Sequence, residues 1–265
     1  MAISAATWLL IAAAAVGVAG GPDQLTLARR YYNQGQYDQA LEAARAASSN
    51  PATMSSARLV MGRSRLERYR QGQVPQELED ARGDLRAVDP RSLDARERIE
   101  LQVGFGELLY FEERFGAAAE LLDPVVESSA TLAPDAHERA LDWWATALDR
   151  QAQAQPTGER GVVYFRITER MEQELRRDPS SAPATYWLSA AARAAGDLDR
   201  AWETALAGWI RATLTRDRGV TLRADLDKLV TQAIIPDRAG RAPARDRRQA
   251  AEKMLTEWEN FKKIW

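Results

Sequence analysis

Residues Tyr31–Ala44 read YYNQGQYDQALEAA, and a related stretch, AARAAGDLDRAWETA, returns at Ala191–Ala205. In each, a helix-forming run reaches a glycine, Gly35 or Gly196. A large apolar residue follows two positions later (Tyr37, Leu198), and an alanine five positions later (Ala40, Ala201). Glycine is the commonest punctuation between helices, so each stretch reads as helix, turn, helix. Repetition of such a unit decides the fold, because one helix pair cannot bury its apolar face alone and neighbouring pairs must stack. It points toward binding rather than catalysis.

Outward from these stretches the chain divides into helix-sized pieces. Pairs are expected at 24–34 with 36–49, 53–70 with 75–88, 93–112 with 115–129, 135–153 with 160–177, and 182–195 with 198–214. Asn50-Pro51, Asp89-Pro90 and Asp178-Pro179 each close a second helix, since proline cannot continue one and biases the residue before it away from the helical region. Residues 71–75 and 155–158 read as longer loops. Thr221–Ile235 reads as one more amphipathic helix, with Leu222, Leu226, Leu229, Val230 and Ile234 as its stripe. Residues 236–248, PDRAGRAPARDRR, read as an Arg-rich loop. A last helix at about 247–263 carries Ala251, Met254, Leu255, Trp258 and Phe261 at helical spacing and reads as a cap on the stack. Ala, Leu, Arg, Glu and Gln dominate, and no strand-like alternation appears beyond Val162–Val163, so the chain reads as all-α.

The pairs resemble tetratricopeptide repeats, a family of antiparallel helix pairs of about 34 residues each. The resemblance rests on Gly35, Tyr37, Ala40, Ala47 and Pro51 in the first unit and on Gly106, Phe115 and Ala118 in the third, where Glu113 stands in place of the turn glycine. The fifth unit shows Leu188, Gly196, Leu198, Ala201 and Gly208. Units two and four keep only Gly62 and Pro90, and Pro179. The resemblance covers 23–214 and implies a right-handed superhelical solenoid, with 215–265 as C-terminal capping helices. It further implies that the first helix of each unit lines a concave groove receiving a protein or peptide segment. The outward slots of those helices hold Arg29, Tyr32, Asn33, Arg63, Glu107, Tyr110, Asp142, Tyr186 and Arg193. The basic and Asn pattern with which tetratricopeptide proteins clamp a C-terminal carboxylate is not matched, because Leu25 and Val60 occupy slots that should be polar.

Chemistry-bearing motifs are missing. The chain has no cysteine, which excludes disulfides, thiolate metal sites and a Cys nucleophile. Its one histidine, His137, follows a candidate helix cap at Asp135 and reads as a solvated first-turn residue. No phosphate-cradling glycine loop, nucleophile elbow or calcium loop occurs. No cofactor, metal or catalytic residue is therefore expected. The formal net charge of −2 argues against nucleic acid as a partner, and Asp237 and Asp246 dilute the Arg-rich loop. Most of the eight tryptophans read as core, with one of the adjacent Trp143 and Trp144 partly exposed.

Ala2–Gly20 carries no charge and ends at Gly21-Pro22. It reads as a signal peptide with an apolar core at Trp8–Ala15, or else as a membrane anchor; residues 1–20 form this segment. Either reading puts the rest of the chain outside the cytoplasmic membrane, in the periplasm or cell envelope. The expectation is an exported scaffold that binds a partner segment without catalysis. The alternatives are a membrane-anchored version that recruits partners at the bilayer, a homo-oligomer formed through the C-terminal helix, and an enzyme with an unrecognised carboxylate pair.

Overall fold

The computed structural model describes residues 23–129 and 134–265; the Ala2–Gly20 segment lies outside them. Among the described residues the chain is helical throughout, with no strand. The helices are α1 (Gln24–Asn33), α2 (Tyr37–Ala47), α3 (Met54–Gly72), α4 (Pro75–Arg86), α5 (Ala95–Phe111), α6 (Phe115–Ser129) and α7 (Pro134–Gln153). They continue as α8 (Arg160–Arg177), α9 (Ala182–Ala194), α10 (Leu198–Arg211), α11 (Val220–Leu229), α12 (Ile235–Gly240) and α13 (Arg247–Ile264). Each helix packs on the next in the chain. In addition α1 packs on α3, α3 on α5, α5 on α7, α7 on α9 and α9 on α11, so the odd-numbered helices form one continuous row.

The turn within a pair is built the same way three times. Gly35, Glu113 and Gly196 all take positive φ, at 72°, 60° and 85°. In each turn the following N–H reaches back five residues: Gln36 to the Tyr31 carbonyl, Arg114 to Leu109 and Asp197 to Ala192, all at 2.9 Å. This is the Schellman closure, which satisfies carbonyls left over at a helix end. The backbone at Glu113 thus keeps the glycine conformation although the side chain has changed.

Close approach of paired helices depends on small residues. A Cβ added at Gly62 would meet Leu85 of α4 at 2.7 Å, and one at Gly106 would meet Leu122 of α6 at the same distance. Ala40, Ala118, Ala201 and Ala205 are fully buried at comparable crossings. Arg65 of α3 locks its pair from the side, reaching Asp84 at 2.9 Å, Asp80 at 2.8 Å and Glu77 at 3.3 Å on α4. Buried indoles tie helices together by a recurring bond. Trp144 donates to Asp123 at 2.8 Å, Trp187 to Asp142 at 2.7 Å and Trp258 to Asp227 at 2.8 Å. Trp144 is buried and Trp143 half-buried, so the adjacent indoles face different surroundings.

The C-terminal region departs from expectation. Thr221–Ile235 is not one plain α-helix, and 236–248 is not wholly loop. A π-helical turn at Val230–Ile234 joins α11 to α12, and Pro236 sits in the first turn of α12. Proline has no N–H for the preceding ladder, and a widened turn absorbs the mismatch. The arginines of this stretch are engaged: Arg238 pairs with Asp199 at 3.0 Å and lies over the Trp202 ring, and Arg241 donates to the Gly196 carbonyl. Trp258 of α13 is completely buried against Trp202 and Trp209. It cannot reach a second subunit while α13 stays docked.

His137 also departs from expectation. It is buried rather than solvated, with Nε2 2.9 Å from Glu174 and 2.8 Å from Arg177 at the end of α8. Burial pushes the Glu174 carboxyl up, but the hydrogen bond and charge of His137 outweigh it and hold Glu174 below its ordinary range. Asp135, expected as the cap, falls within α7.

Two substitutions test this packing with opposite signs. Gly106→Ala is expected to destabilise the protein by about 1–3 kcal/mol, since Leu122 must move. Glu113→Gly is expected to stabilise it by about 0.5–1 kcal/mol by relieving a left-handed non-glycine residue. Urea denaturation followed by far-UV circular dichroism reads both.

Candidate functional site

The odd-numbered row faces a groove of about 1190 Å³. Helix α1 contributes Tyr32 and Asn33, α3 contributes Glu67, and α5 contributes Arg96. Arg139, Asp142 and Thr146 come from α7, Tyr186 and Trp187 from α9, and Asp225 from α11. Tyr37 enters from the start of α2. The even-numbered helices lie behind this wall, because each is paired with the odd helix in front of it.

Both signs of charge line the groove. At the α7–α11 end stand Glu138, Asp142, Asp178 and Asp225, with Tyr186 half-buried among them. Burial pushes the Asp142 carboxyl up, and the Trp187 N–H bond works against it. At the α1–α5 end the groove opens into a smaller cavity of about 210 Å³ whose charged lining is Arg29, Arg63, Arg96 and Arg139 together with Asp94, Glu97 and Glu100. Tyr32, Asn33, Arg96 and Arg139 belong to both spaces.

The wall of the small cavity is tightly organised. Asp94 and Glu97 cap α5 reciprocally, Asp94 accepting from the Glu97 N–H at 2.8 Å and Glu97 from the Asp94 N–H at 3.1 Å. Glu97 also pairs with Arg29. Glu100 accepts from Arg96 at 3.0 Å and from Arg63 at 3.3 Å. The Arg63 guanidinium is buried and lies 4.7 Å from the centroid of the Tyr32 ring. Glu107 of α5 is buried as well, 2% exposed. Burial pushes the Glu107 carboxyl up to about 7, against the pull of Arg63 and Arg139.

The nine residues read from the sequence therefore separate. Tyr32, Asn33, Asp142 and Tyr186 line the groove, and Arg29 and Arg63 line the small cavity. Glu107 is buried rather than presented in an outward slot. Tyr110 joins an edge-to-face aromatic cluster with Phe111, Phe115 and Trp143, and its hydroxyl accepts from Arg150. Arg193 donates to Asp237 of α12 at 2.8 Å. Sequence reasoning passed over Arg96, Arg139 and Asp225. Arg139 lies three residues before Asp142 on the same helical face, which is the signal that could have found it.

No family model, curated protein or solved structure matches this chain. Among the described residues, no group of His, Asp and Glu is placed to hold a metal ion, and no helix is long and apolar enough to cross a membrane.

Glu107 gives the site a pH signature. Its carboxyl is raised in the folded state, so its favourable contribution is complete below the ordinary value of 4.5 and is lost as pH rises through about 7. Glu107→Gln should match the parent near pH 4.5 and exceed its stability by about 2–3 kcal/mol at pH 8.5. Urea midpoints at the two pH values check this; equal midpoints at pH 8.5 would show that Glu107 carries no such penalty.

Proposed function

We propose that this chain is a tetratricopeptide-like solenoid acting as an exported scaffold, which receives an extended segment of a partner protein in its groove and performs no chemistry on it. The observation that carries the reading is the succession α1, α3, α5, α7, α9, α11 along one wall of a single groove. A concave surface built from one helix of every pair is the geometry that stacked helix pairs use for extended ligands. The wall offers rigid aromatic faces in Tyr32, Tyr37 and Tyr186 and carboxylates between them. Tyrosine is a favoured anchor because it brings large contact area and a polar tip at small entropic cost. Carboxylates outnumber guanidinium groups along the groove, which favours a protein segment over a nucleic acid. Export, to the periplasm or cell envelope, rests on the uncharged Ala2–Gly20 segment.

The test is site-specific photo-crosslinking in the native host with a photoreactive residue at Asn33 and at Thr146, together with the intact mass of the recovered chain. Tyr186→Ala and Asp142→Ala should each abolish crosslinks made from Thr146, corresponding to a loss of tenfold or more in affinity. Arg193→Ala and Tyr110→Ala, which lie off the groove, should leave them unchanged. Crosslinks that survive both groove substitutions would sink the reading. A mass lacking about the first twenty residues would support cleavage of the leader.

A further inference from the structure

We infer that the small cavity at the α1–α5 end is a site for one oxyanion, a carboxylate or phosphoryl group, held by Arg63 and Arg139. The inference goes beyond the groove reading and does not need a partner protein to be tested.

Three observations lead there. First, Arg63 is 5% exposed, lines the cavity, and is short of acceptors: Nη1 reaches Glu100 at 3.3 Å, while Nε is buried with no hydrogen-bond partner. Guanidinium is the side chain best shaped to hold an oxyanion. Second, Arg139 lines the same cavity from α7 and makes no hydrogen bond or ion pair with a described residue. The other arginines there are held by Glu97 and Glu100. Third, a volume of about 210 Å³ suits a single head group rather than a chain of residues, and it opens on the groove through Tyr32 and Asn33.

Glu107 makes the uptake depend on pH. The groups that bear on it are Arg63, Glu67 and Arg70 from α3, Tyr32 from α1, Tyr37 from the start of α2, and Arg139 from α7. Helices α4 and α6 also pack on α5 but bring no charge of comparable influence. When Glu107 is ionised, it neutralises the charge of Arg63 and Arg139 and repels an incoming anion. When it is protonated, both guanidinium groups are free to act on the ligand. No bond is made or broken; a proton and an anion enter together.

The probe is sulfate, which stays a dianion across the range used, titrated into the full chain by isothermal titration calorimetry at pH 6.0 and 8.5 and constant ionic strength. Sulfate should bind at a single site about tenfold more tightly at pH 6.0. Arg139→Gln, at an exposed position that leaves the fold intact, should weaken it by about tenfold or more. Glu107→Gln should bind equally at both pH values. Arg63→Lys, checked for folding by circular dichroism, should also weaken binding. A second arm uses the capped peptide Ac-Ala-Ala-Glu-Ala-Ala-amide and its Gln counterpart. Competition of the Glu peptide alone with sulfate assigns the site to a side chain delivered along the groove, and sulfate binding without competition assigns it to a free anion. Absence of sulfate binding at pH 6.0, or binding unchanged in Arg139→Gln, would overturn the proposal. Tyr186→Ala separates the two readings: it should leave sulfate binding intact even where it abolishes partner crosslinks.

Discussion

Everything in this fold depends on how near two antiparallel helices can come. At Gly62 and Gly106 the methyl groups of Leu85 and Leu122 occupy the space that any Cβ would need. That approach brings α3 onto α4 and α5 onto α6 closely enough for one helix of each pair to cover the back of the other. The front helices are then left in a row and meet one another directly. The groove is the uncovered side of that row. A bulkier residue at either crossing would change the spacing of the row as well as the packing of one pair.

Several polar groups inside the stack are satisfied from one helix to another, although the Trp209 N–H and the Ser64 hydroxyl are buried without a hydrogen-bond partner. Indole N–H groups of Trp144, Trp187 and Trp258 are each satisfied by an aspartate on a neighbouring helix, and His137 is held by Glu174 and Arg177. Arg65 is surrounded by three carboxylates. Against this background Arg63 and Glu107 differ: both are charged residues that are buried, and Arg63, which lines the small cavity, leaves its Nε without a hydrogen-bond partner. Buried polar groups without partners are uncommon in folded proteins and tend to mark places where something else arrives.

Much of the helix order was legible because its signals are local. Proline, the Schellman glycines and the capping residues act within a few positions, so Gly35, Gly196 and Pro75 marked their turns and helix starts directly. Glu113 shows the limit of that grammar: the backbone makes the same turn with a residue other than glycine. His137 was misread because its partner Arg177 lies 40 residues away, beyond any local pattern. The π turn before Pro236 was missed because a helix can widen to accommodate a proline as well as stop at it. For the groove, the outward slots came from the resemblance to tetratricopeptide repeats, and Tyr32, Asn33, Asp142 and Tyr186 among them line it. Tyr110 and Arg193 share the same spacing but are claimed by Arg150 and Asp237, contacts that no spacing reveals.

Contact in this molecule runs mainly between helices that are neighbours, or next neighbours, in the chain. Such a topology has low contact order, and its folding nucleus can form anywhere along the row and spread by docking one pair at a time. Chain length is then a free variable: a pair can be gained or lost by duplication or deletion without redesigning the remainder, provided that an end piece such as α13 still closes the last apolar face. Adding or removing a pair would lengthen or shorten the groove by one unit, so the length of the groove is set by how many pairs line it.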